Sequence, residues 1–252
     1  TIRDSATFSP LIPDADLNNG AGQGPRDGFL AKFRYDGTLL WVFNISSSLD
    51  DEVTGVTLGN DGNVYVTGYS EGTTEFKGIS SSANIVRNSA SSSAGKIFVA
   101  GYNPVGEVIW ANLDGGDALD WGMDICANSS GLYVTGIYSN MVGTATMAGQ
   151  SYLHPSNRIN AFVAKYDYAG AGQWLAEIGT ARDDTLETNY QEINMAITCY
   201  DDSIYVIGVQ NGTNTTIIDG MGANSTNALV NPFGPNEYIF LASFLEDGTG
   251  RW

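Results

Sequence analysis

The chain has 252 residues, of which 42% are hydrophobic and 11% aromatic, enough for a large core and too many for a disordered segment. Lys and Arg together number 11 against 28 Asp and Glu, so the formal net charge is -17. Such an acidic surface repels nucleic acid phosphates and anionic lipid headgroups, which argues against nucleic acid and membrane surfaces as partners.

The sequence predicts no membrane-spanning or targeting segment. No apolar run reaches the ~18 residues that a membrane helix needs, so membrane insertion is not expected. The first residues have no apolar signal-peptide core, and the chain begins with Thr1 rather than Met. This beginning indicates a mature form or a segment of a longer protein.

Residues 1–26 predict one short strand, at 5–8, followed by a long loop rich in Pro, Gly, Asn and Asp. Comparable Thr-rich pieces precede each later repeat, at 73–76, 144–147 and 215–218. The chain is therefore expected to open with the last strand of a repeat whose beginning is missing.

A thirteen-residue phrase then occurs four times. Each copy starts with Phe, ends with Trp 12 residues later and has Gly four residues before the Trp. Apolar residues alternate in its first part, and a turn such as Asp36 with Gly37 leads into a second apolar run. The phrase therefore predicts a β-hairpin. The copies span 29–41, 98–110, 162–174 and 240–252.

Two further strands are predicted between consecutive hairpins. In the first repeat they cover 53–58 and 64–68, joined by a turn at 60–63. The fourth strand recurs at 132–136 and 204–208, and its nearly continuous apolar character is typical of a strand covered on both faces.

The repeats are separated by 69, 64 and 78 residues, and the irregularity lies in the predicted loops 80–93, 150–160 and 211–236. A constant four-stranded unit with variable loops predicts an all-β fold: a β-propeller, or a propeller segment, of four-stranded antiparallel blades. We expect one array over 1–252 with three complete repeats and partial repeats at both ends. Its parts are 1–26 as the terminal strand and loop of a split blade, 27–95, 96–160 and 161–236 as repeats, and 237–252 as the start of a fourth.

The repeated residues resemble a known family. The run from Asp27 through the hairpin to Trp41, the segment 62–68 and the Thr-rich piece 73–76 are similar to the bacterial β-propeller repeats called SBBP. Gly101 and Ser243 depart from the Lys found in the other two copies. The resemblance covers nearly the whole chain and implies a secreted or cell-surface propeller, often within a long multidomain protein. It implies no catalytic residues.

Cys126 and Cys199 precede equivalent strands of neighbouring repeats. Equivalent points on adjacent radial sheets usually lie farther apart than the ~7 Å Cα limit for a disulfide. We therefore expect two small buried thiols, with a single bridge as the alternative.

Sequence motifs for catalysis are missing. The single histidine, His154, lies in a polar loop and is expected to be solvated, and no nucleophile elbow, zinc-protease or phosphate-loop motif occurs. Acidic residues recur after the second strand of each repeat. A turn-forming or capping role is expected for them, with Ca²⁺ binding as a weaker alternative and a glycosidase carboxylate pair as the weakest. The calcium candidates are Asp50, Asp51, Asp117, Asp120, Asp183 and Asp184. No other cofactor is expected.

Other candidate residues are surface features. The Trp at the end of each phrase keeps a fixed register, which favours blade packing over sugar stacking. Trp121 occupies no repeat position and is either a core residue or a contact residue. Glycosylation sequons begin at Asn44, Asn128, Asn211, Asn214 and Asn224, and the interface candidates are Phe8, Trp121, Phe240, Phe244 and Trp252.

These features favour a non-enzymatic extracellular or cell-surface propeller with a structural or adhesive role. The partial repeats at 1–26 and 237–252 could close a ring, join copies head to tail into a filament, or belong to a longer propeller. Protein is the expected partner, including self-association through the terminal strands, and glycans are a second. The alternative function is carbohydrate or ligand binding through the long loops, followed by polysaccharide hydrolysis or lyase activity.

Overall fold

The computed structural model describes residues 5–7, 16–18, 26–88, 95–116, 119–140, 143–154, 158–180, 192–211, 216–219, 226–229 and 237–252. These residues form strands and turns, with one 3-10 turn at Ser81–Ala83. In the described part, no helix is long and apolar enough to cross a membrane. The strands are β1 (Ser5–Thr7), β2 (Asp16–Asn18), β3 (Gly28–Phe33), β4 (Leu39–Ser46), β5 (Asp51–Leu58), β6 (Val64–Ser70), β7 (Thr73–Phe76), β8 (Ile85–Asn88), β9 (Lys96–Tyr102), β10 (Val108–Asp114), β11 (Trp121–Asn128), β12 (Gly131–Asn140), β13 (Gly143–Met147), β14 (Gln150–His154), β15 (Arg158–Tyr166), β16 (Gly172–Thr180), β17 (Glu192–Tyr200), β18 (Ser203–Asn211), β19 (Thr216–Asp219), β20 (Thr226–Leu229) and β21 (Glu237–Leu245).

Four antiparallel sheets, which we call A to D in chain order, carry the fold. Sheet A has the order β3-β4-β7-β8, and sheet B has the order β5-β6-β9-β10. Sheet C has the order β11-β12-β15-β16-β19-β20, and sheet D has the order β17-β18-β21. The pairs β1–β2 and β13–β14 form separate hairpins. Antiparallel sheets packed side by side, of which A and B have four strands each, confirm the predicted all-β blade architecture.

Each sheet from B onward combines strands from two consecutive sequence repeats. In sheet B, β5 and β6 come from the first repeat, whereas β9 and β10 are the hairpin of the second. The β6–β9 register places Gly68 opposite Phe98, and a Cβ on Gly68 would lie 2.8 Å from that ring. Gly136 lies opposite Phe162 in the same way. Glycine at this position leaves room for the Phe that opens the next hairpin and, even more closely, for a backbone carbonyl on the other side, that of Glu52 at Gly68 and that of Trp121 at Gly136.

The strands β5, β11 and β17 lie beside one another at the inner edges of their sheets, because β11 packs against both β5 and β17. This closeness places the Cα atoms of Cys126 and Cys199 5.8 Å apart, and the two residues form a disulfide. The expectation of two free thiols was wrong. It assumed a wide spacing between equivalent points of adjacent sheets, whereas both cysteines lie on inner strands where the sheets converge.

The outer strands form a hairpin that attaches to each of sheets A, B and C. In sheet A, β7 pairs with β4 only at Ile45 with Phe76 and Ser46 with Glu75. In sheet C, β19 pairs with β16 over four residue pairs. The hairpin β13–β14 reaches β10 through a bridge between Gly115 and Thr146. The Thr-rich strands β7, β13 and β19 therefore lie at the outer edges of sheets A, B and C, respectively.

The second strand of each outer hairpin lies where the sequence predicted a loop. For example, β8 lies inside the predicted loop 80–93, and its residues alternate between exposed and half-buried. Such a short strand has no fully buried face and therefore gives little hydrophobic signal. The strands β14 and β20 lie inside the other two predicted loops.

The core consists of apolar clusters between neighbouring sheets. Between sheets A and B, the ring of Phe76 packs edge-on against Phe98 at 5.4 Å between ring centroids, and both are fully buried. Between sheets C and D, Phe240 and Phe244 pack with Val163 in one buried cluster. Burying each such aromatic side chain contributes roughly 2–3 kcal/mol, so face-to-face packing of the sheets holds the array together.

A second contact between sheets involves the repeated Trp, and we call it the Trp-on-turn contact. The indole of Trp110 lies over Gly170, where a Cβ would be only 2.7 Å from Trp110. The Trp110 Nε1 donates a hydrogen bond of 3.0 Å to the carbonyl of Tyr168 in that turn. Gly170 has a φ of +87°, so this turn needs glycine for its backbone as well as for the contact. The contact occurs three times, as Trp41 on Gly106, Trp110 on Gly170 and Trp174 on Gly248.

Candidate functional site

Two of the described acidic residues after the second strand of the repeat cap loops. Asp51 accepts a hydrogen bond of 2.5 Å from the backbone N–H of Ser47. Asp120 occupies the equivalent place in the next repeat and accepts one of 2.6 Å from Gly116. Both carboxylates are fully buried. Neither is exposed to a substrate, so the geometry gives both a capping role in the loop.

A half-buried cluster around Arg26 lies at the same end of sheet B. The Arg26 guanidinium pairs with Asp50 at 2.8 Å and with Glu52 at 3.4 Å. It also donates a hydrogen bond of 2.6 Å to the hydroxyl of Tyr69. The hydrogen bond to Asp50 is the main cause that raises the pKa of Arg26. Glu71 is the fifth member of the cluster, and its pKa is raised mainly by burial and next by the nearby charge of Asp50. We call these five residues the Arg26 cluster.

An aromatic platform adjoins the Arg26 cluster. The rings of Tyr69 and Trp121 stack at 5.1 Å, and the Arg26 guanidinium lies 5.9 Å from the Tyr69 ring centroid. Trp121 is half-buried, and its Nε1 lacks a hydrogen-bond partner in the described part of the chain. Trp121 is thus neither a core residue nor a fully exposed one. It supports the Arg26 cluster from the neighbouring sheet.

Two buried carboxylates lie next to this cluster. Asp27 is almost fully buried and neither of its carboxylate oxygens has a hydrogen-bond partner in the described chain. Burial raises the pKa of Asp27 to about 6, although the nearby Lys77 charge opposes the shift. Burial also raises the pKa of Asp51 to about 7, against hydrogen bonds from Ser70 and Ser47. Both side chains therefore titrate near neutral pH.

The cluster does not assemble a metal site from the described residues. Across them, no group of three or more His, Cys, Asp or Glu side chains is placed to hold a metal ion. Among the calcium candidates, Asp50 is already paired with Arg26, and Asp51 and Asp120 cap loops. The candidates Asp117, Asp183 and Asp184 lie outside the described residues. His154 ends β14, and its side chain also lies outside the described part.

The predicted interface residues have different surroundings. Phe240 and Phe244 are buried between sheets C and D, because they alternate with the residues that point the other way along β21. The exposed apolar residues of this strand are Ile239 and Leu241, which are 76% and 49% exposed. Trp252 is 52% exposed. Phe8 lies outside the described residues.

Two of the five sequons are buried in the fold. Asn44 is 6% exposed, and Asn128 is 7% exposed with its amide nitrogen donating to Asp201 and Glu246. Neither amide is available for glycosylation in the folded protein. The side chains of Asn211, Asn214 and Asn224 lie outside the described part of the chain.

Sequence reasoning did not single out Arg26 and Tyr69, which form the centre of the cluster. The available signal was weak: Arg26 is one of 11 basic residues in an acidic chain and lies two residues before β3. Its partners lie 24 to 43 residues away, so only the fold brings them together.

Comparisons with known proteins agree with the architecture. No protein-family model matches the chain. The chain is 25% identical over 261 residues to "Uncharacterized WD repeat-containing protein L264" of Acanthamoeba polyphaga mimivirus. The match covers 94% of this chain and 19% of the viral protein, so the chain spans about one fifth of that relative's length. The fold is a β-propeller array. The relative's name refers to a repeat, which agrees with the repeated sheets of this structure.

Proposed function

We propose that the protein is a non-enzymatic extracellular or cell-surface propeller of the SBBP repeat type, with a structural or adhesive role. The observation that carries the proposal is the array of antiparallel sheets built from a repeated unit, because stacked repeats generally offer extended surfaces to other proteins. One aromatic residue of sheet A is on the surface: Phe33 is 49% exposed, whereas the equivalent Tyr102 is fully buried. An exposed aromatic side chain of this kind is suited to contacting another protein surface.

Two further observations support the proposed location and the absence of catalysis. The Cys126–Cys199 disulfide is suited to an oxidising compartment, because the cytosol keeps thiols reduced. Among the described acidic residues, the buried Asp51 and Asp120 cap loops, and Asp50 is paired with Arg26. These carboxylates have structural partners instead of the exposed acid and base of a glycosidase.

The test combines location and activity. An antibody against the chain should label intact, unpermeabilised cells of the source organism, and the purified protein should release no products from a panel of polysaccharides. Labelling confined to permeabilised cells would contradict the extracellular location. Turnover that is lost in Asp120→Asn, with the fold intact by circular dichroism, would favour a hydrolase or lyase.

The aromatic platform favours carbohydrate binding as a second candidate function. Trp121 and Tyr69 stack at 5.1 Å beside a guanidinium, and sugars bind to such aromatic faces flanked by polar groups. A glycan array separates this function from the first. Binding that is lost in Trp121→Ala but kept in Tyr200→Ala, a control at an exposed aromatic residue, would favour the carbohydrate-binding function.

A further inference from the structure

A hydroxyl, an amine and a phenol meet at the turn between β11 and β12, and we call these three residues the Ser130 triad. The Lys165 Nζ donates a hydrogen bond of 3.0 Å to the Ser130 Oγ, and the hydroxyl oxygens of Ser130 and Tyr133 are 2.7 Å apart. The Lys165 Nζ also lies 5.3 Å from the centre of the Tyr133 ring. Because the triad follows the end of β11, it lies at the opposite end of the sheets from the Arg26 cluster, which adjoins the start of β5.

The sheet and the turn hold the triad in place. Tyr133 and Lys165 are directly opposite one another in the pairing of β12 with β15. Asn128 accepts hydrogen bonds from the backbone N–H of Ser130 at 2.9 Å and from its hydroxyl at 3.0 Å. These bonds close the turn and keep the Ser130 side chain beside the paired residues. The position of the hydroxyl is therefore set by the fold.

The repeat accounts for only part of this arrangement. Lys165 also donates a hydrogen bond of 3.0 Å to the carbonyl of Glu246 in the turn of sheet D, and Lys32 makes the equivalent bond to a turn carbonyl of sheet B at 2.7 Å. The carbonyl contact thus recurs between repeats. The other two copies carry Gly101 and Ser243 at this position. Within the described residues, Lys165 is the one member of this set of four that bonds to a serine hydroxyl.

The surroundings of Lys165 shift it towards its neutral form. Lys165 is half-buried, and burial lowers its pKa, although the charges of Glu246 and Asp247 oppose the shift. A neutral amine has a lone pair that accepts a proton, whereas an ammonium group only donates. Burial is the main cause that raises the pKa of Tyr133, so this phenol stays protonated and is able to donate to the Ser130 Oγ. The triad therefore places a base and a hydrogen-bond donor on one hydroxyl.

A serine hydroxyl beside a lysine is one of the arrangements that turn serine into a nucleophile. The hydroxyl alone attacks weakly, because its proton must first pass to a neighbouring base. Ser130 is half-exposed in its turn, so a small electrophile reaches it from solvent. Its neighbour Ser129 is exposed and has no lysine among its described hydrogen-bond partners. The two serines therefore differ in activation rather than in access.

We propose that Ser130 is a site of covalent acylation, at which its hydroxyl attacks the carbonyl carbon of an activated ester. Lys165 takes the hydroxyl proton as the bond between Oγ and the carbonyl carbon forms. The bond from that carbon to the leaving oxygen then breaks, and the proton passes from Lys165 to the leaving oxygen. The products are an acyl ester of Ser130 and an alcohol, and the amine is restored. Tyr133 acts as a positioning residue through its hydrogen bond to the Oγ.

This step goes beyond the proposed function without conflicting with it. It is a single transfer to the protein and requires no release of the acyl group, so it involves no turnover. An adhesive surface gains a covalent bond to an acyl donor in this way. The step depends on the Ser130 triad and not on where the protein is located.

Reaction of the folded 252-residue chain with p-nitrophenyl acetate, followed by peptide mass spectrometry, tests the proposal. Ser130 should be acetylated about tenfold or more faster than the adjacent Ser129, because a positioned base accelerates the loss of the hydroxyl proton. Release of nitrophenolate should stop when the acceptor sites are filled. Equal rates at the two serines would overturn the proposal, as would acetylation of the Lys165 amine in place of the Ser130 hydroxyl.

Variants of the lysine separate a base from a structural contact. Lys165→Arg keeps a cation that donates to the Glu246 carbonyl, but arginine stays protonated and does not act as a base. Acetylation of Ser130 should therefore fall to the rate of Ser129 in this variant, with the fold intact by circular dichroism. Lys32→Met is the matched control, because it removes the equivalent carbonyl contact in another sheet, and it should leave the Ser130 rate unchanged.

The pH profile identifies the base. The groups that act on the amine are Tyr133 in sheet C and Glu246 and Asp247 in the turn of sheet D. The rate at Ser130 should rise with pH as Lys165 loses its proton, and Glu246→Gln should move this rise to lower pH by removing a charge that favours the ammonium form. A rise that persists in Lys165→Arg would contradict the assignment.

The outcomes separate this inference from the proposed function. Failure of Ser130 acylation would leave an extracellular, non-enzymatic propeller unaffected. Continued release of nitrophenolate that is lost in Ser130→Ala would overturn the non-enzymatic function and not the acylation.

Discussion

Asp27 and Asp51 are carboxylic acids whose pKa values are raised by burial in the folded chain. Burial raises their pKa values to about 6 and about 7, so both are easier to protonate in the folded chain than in the unfolded one. Such groups stabilise the fold most below their unfolded pKa of about 4, and this stabilisation is lost as the pH rises through the folded values. Asp36 and Asp247 have lowered pKa values and titrate below this window.

We therefore expect the free energy of unfolding to fall by roughly 4 kcal/mol between about pH 5 and about pH 8, with Asp51 contributing the larger part. Asp27→Asn should reduce this fall, because the amide does not ionise. Urea unfolding across the pH range measures the effect. Asp36→Asn is the control and should keep the wild-type slope, since Asp36 is exposed. An unchanged slope in Asp27→Asn would contradict the assignment of this carboxylate.

The turn glycines allow the Trp-on-turn contact to be separated from backbone strain. Gly62 and Gly170 have φ values of +81° and +87°, so alanine strains the backbone similarly at both, by about 1–2 kcal/mol. A Cβ meets no atom within 4 Å at Gly62, whereas at Gly170 it lies 2.7 Å from Trp110. Gly170→Ala should therefore destabilise the protein by roughly 1–3 kcal/mol more than Gly62→Ala. Equal losses in thermal or urea unfolding would show that the indole does not constrain the turn.

At the scale of elements, the outer hairpins are more weakly held than the strands inside the sheets. The hairpin β7–β8 pairs with the rest of sheet A at two positions, whereas β9 has hydrogen-bonded partners along both edges. Local opening costs least where few contacts hold a segment. Amides in β7–β8 should thus exchange with solvent about tenfold faster or more than those in β9. Hydrogen exchange followed by mass spectrometry measures both, and similar protection would refute this order.

The sequence predicted secondary structure best where apolar residues alternate along a strand and a turn glycine follows. The alternating residues of β3 and the turn at Gly37 predicted a hairpin that the structure contains. The pairing partner of β6 was not predictable in the same way, because a nearly continuous apolar strand does not specify whether it pairs with β7 or with β9. Pairing with β9 follows from packing, where Gly68 leaves space for Phe98.

The candidate site depends on the whole molecule, which is why the sequence predicted little of it. Asp51 was identified as one of a recurring set of acidic residues, and its capping position agrees with that periodicity. The pairing of Arg26 with Asp50, Glu52 and Tyr69 joins residues that lie 24 to 43 positions apart in the sequence. Repetition therefore predicts the architecture of the array, whereas contacts between distant side chains become visible only in the fold.

The disulfide connects two sheets at their inner edges and closes a long stretch of chain. Cys126 and Cys199 are 73 residues apart in sequence, so the bridge restricts the unfolded chain by about 4 kcal/mol in the loop-entropy model. Replacing both cysteines with Ala should lower the free energy of unfolding by about 2–4 kcal/mol and abolish the sensitivity of stability to dithiothreitol. Urea unfolding with and without reductant measures both effects. A wild-type chain whose stability does not change on full reduction would show that packing between β11 and β17 alone holds these sheets together.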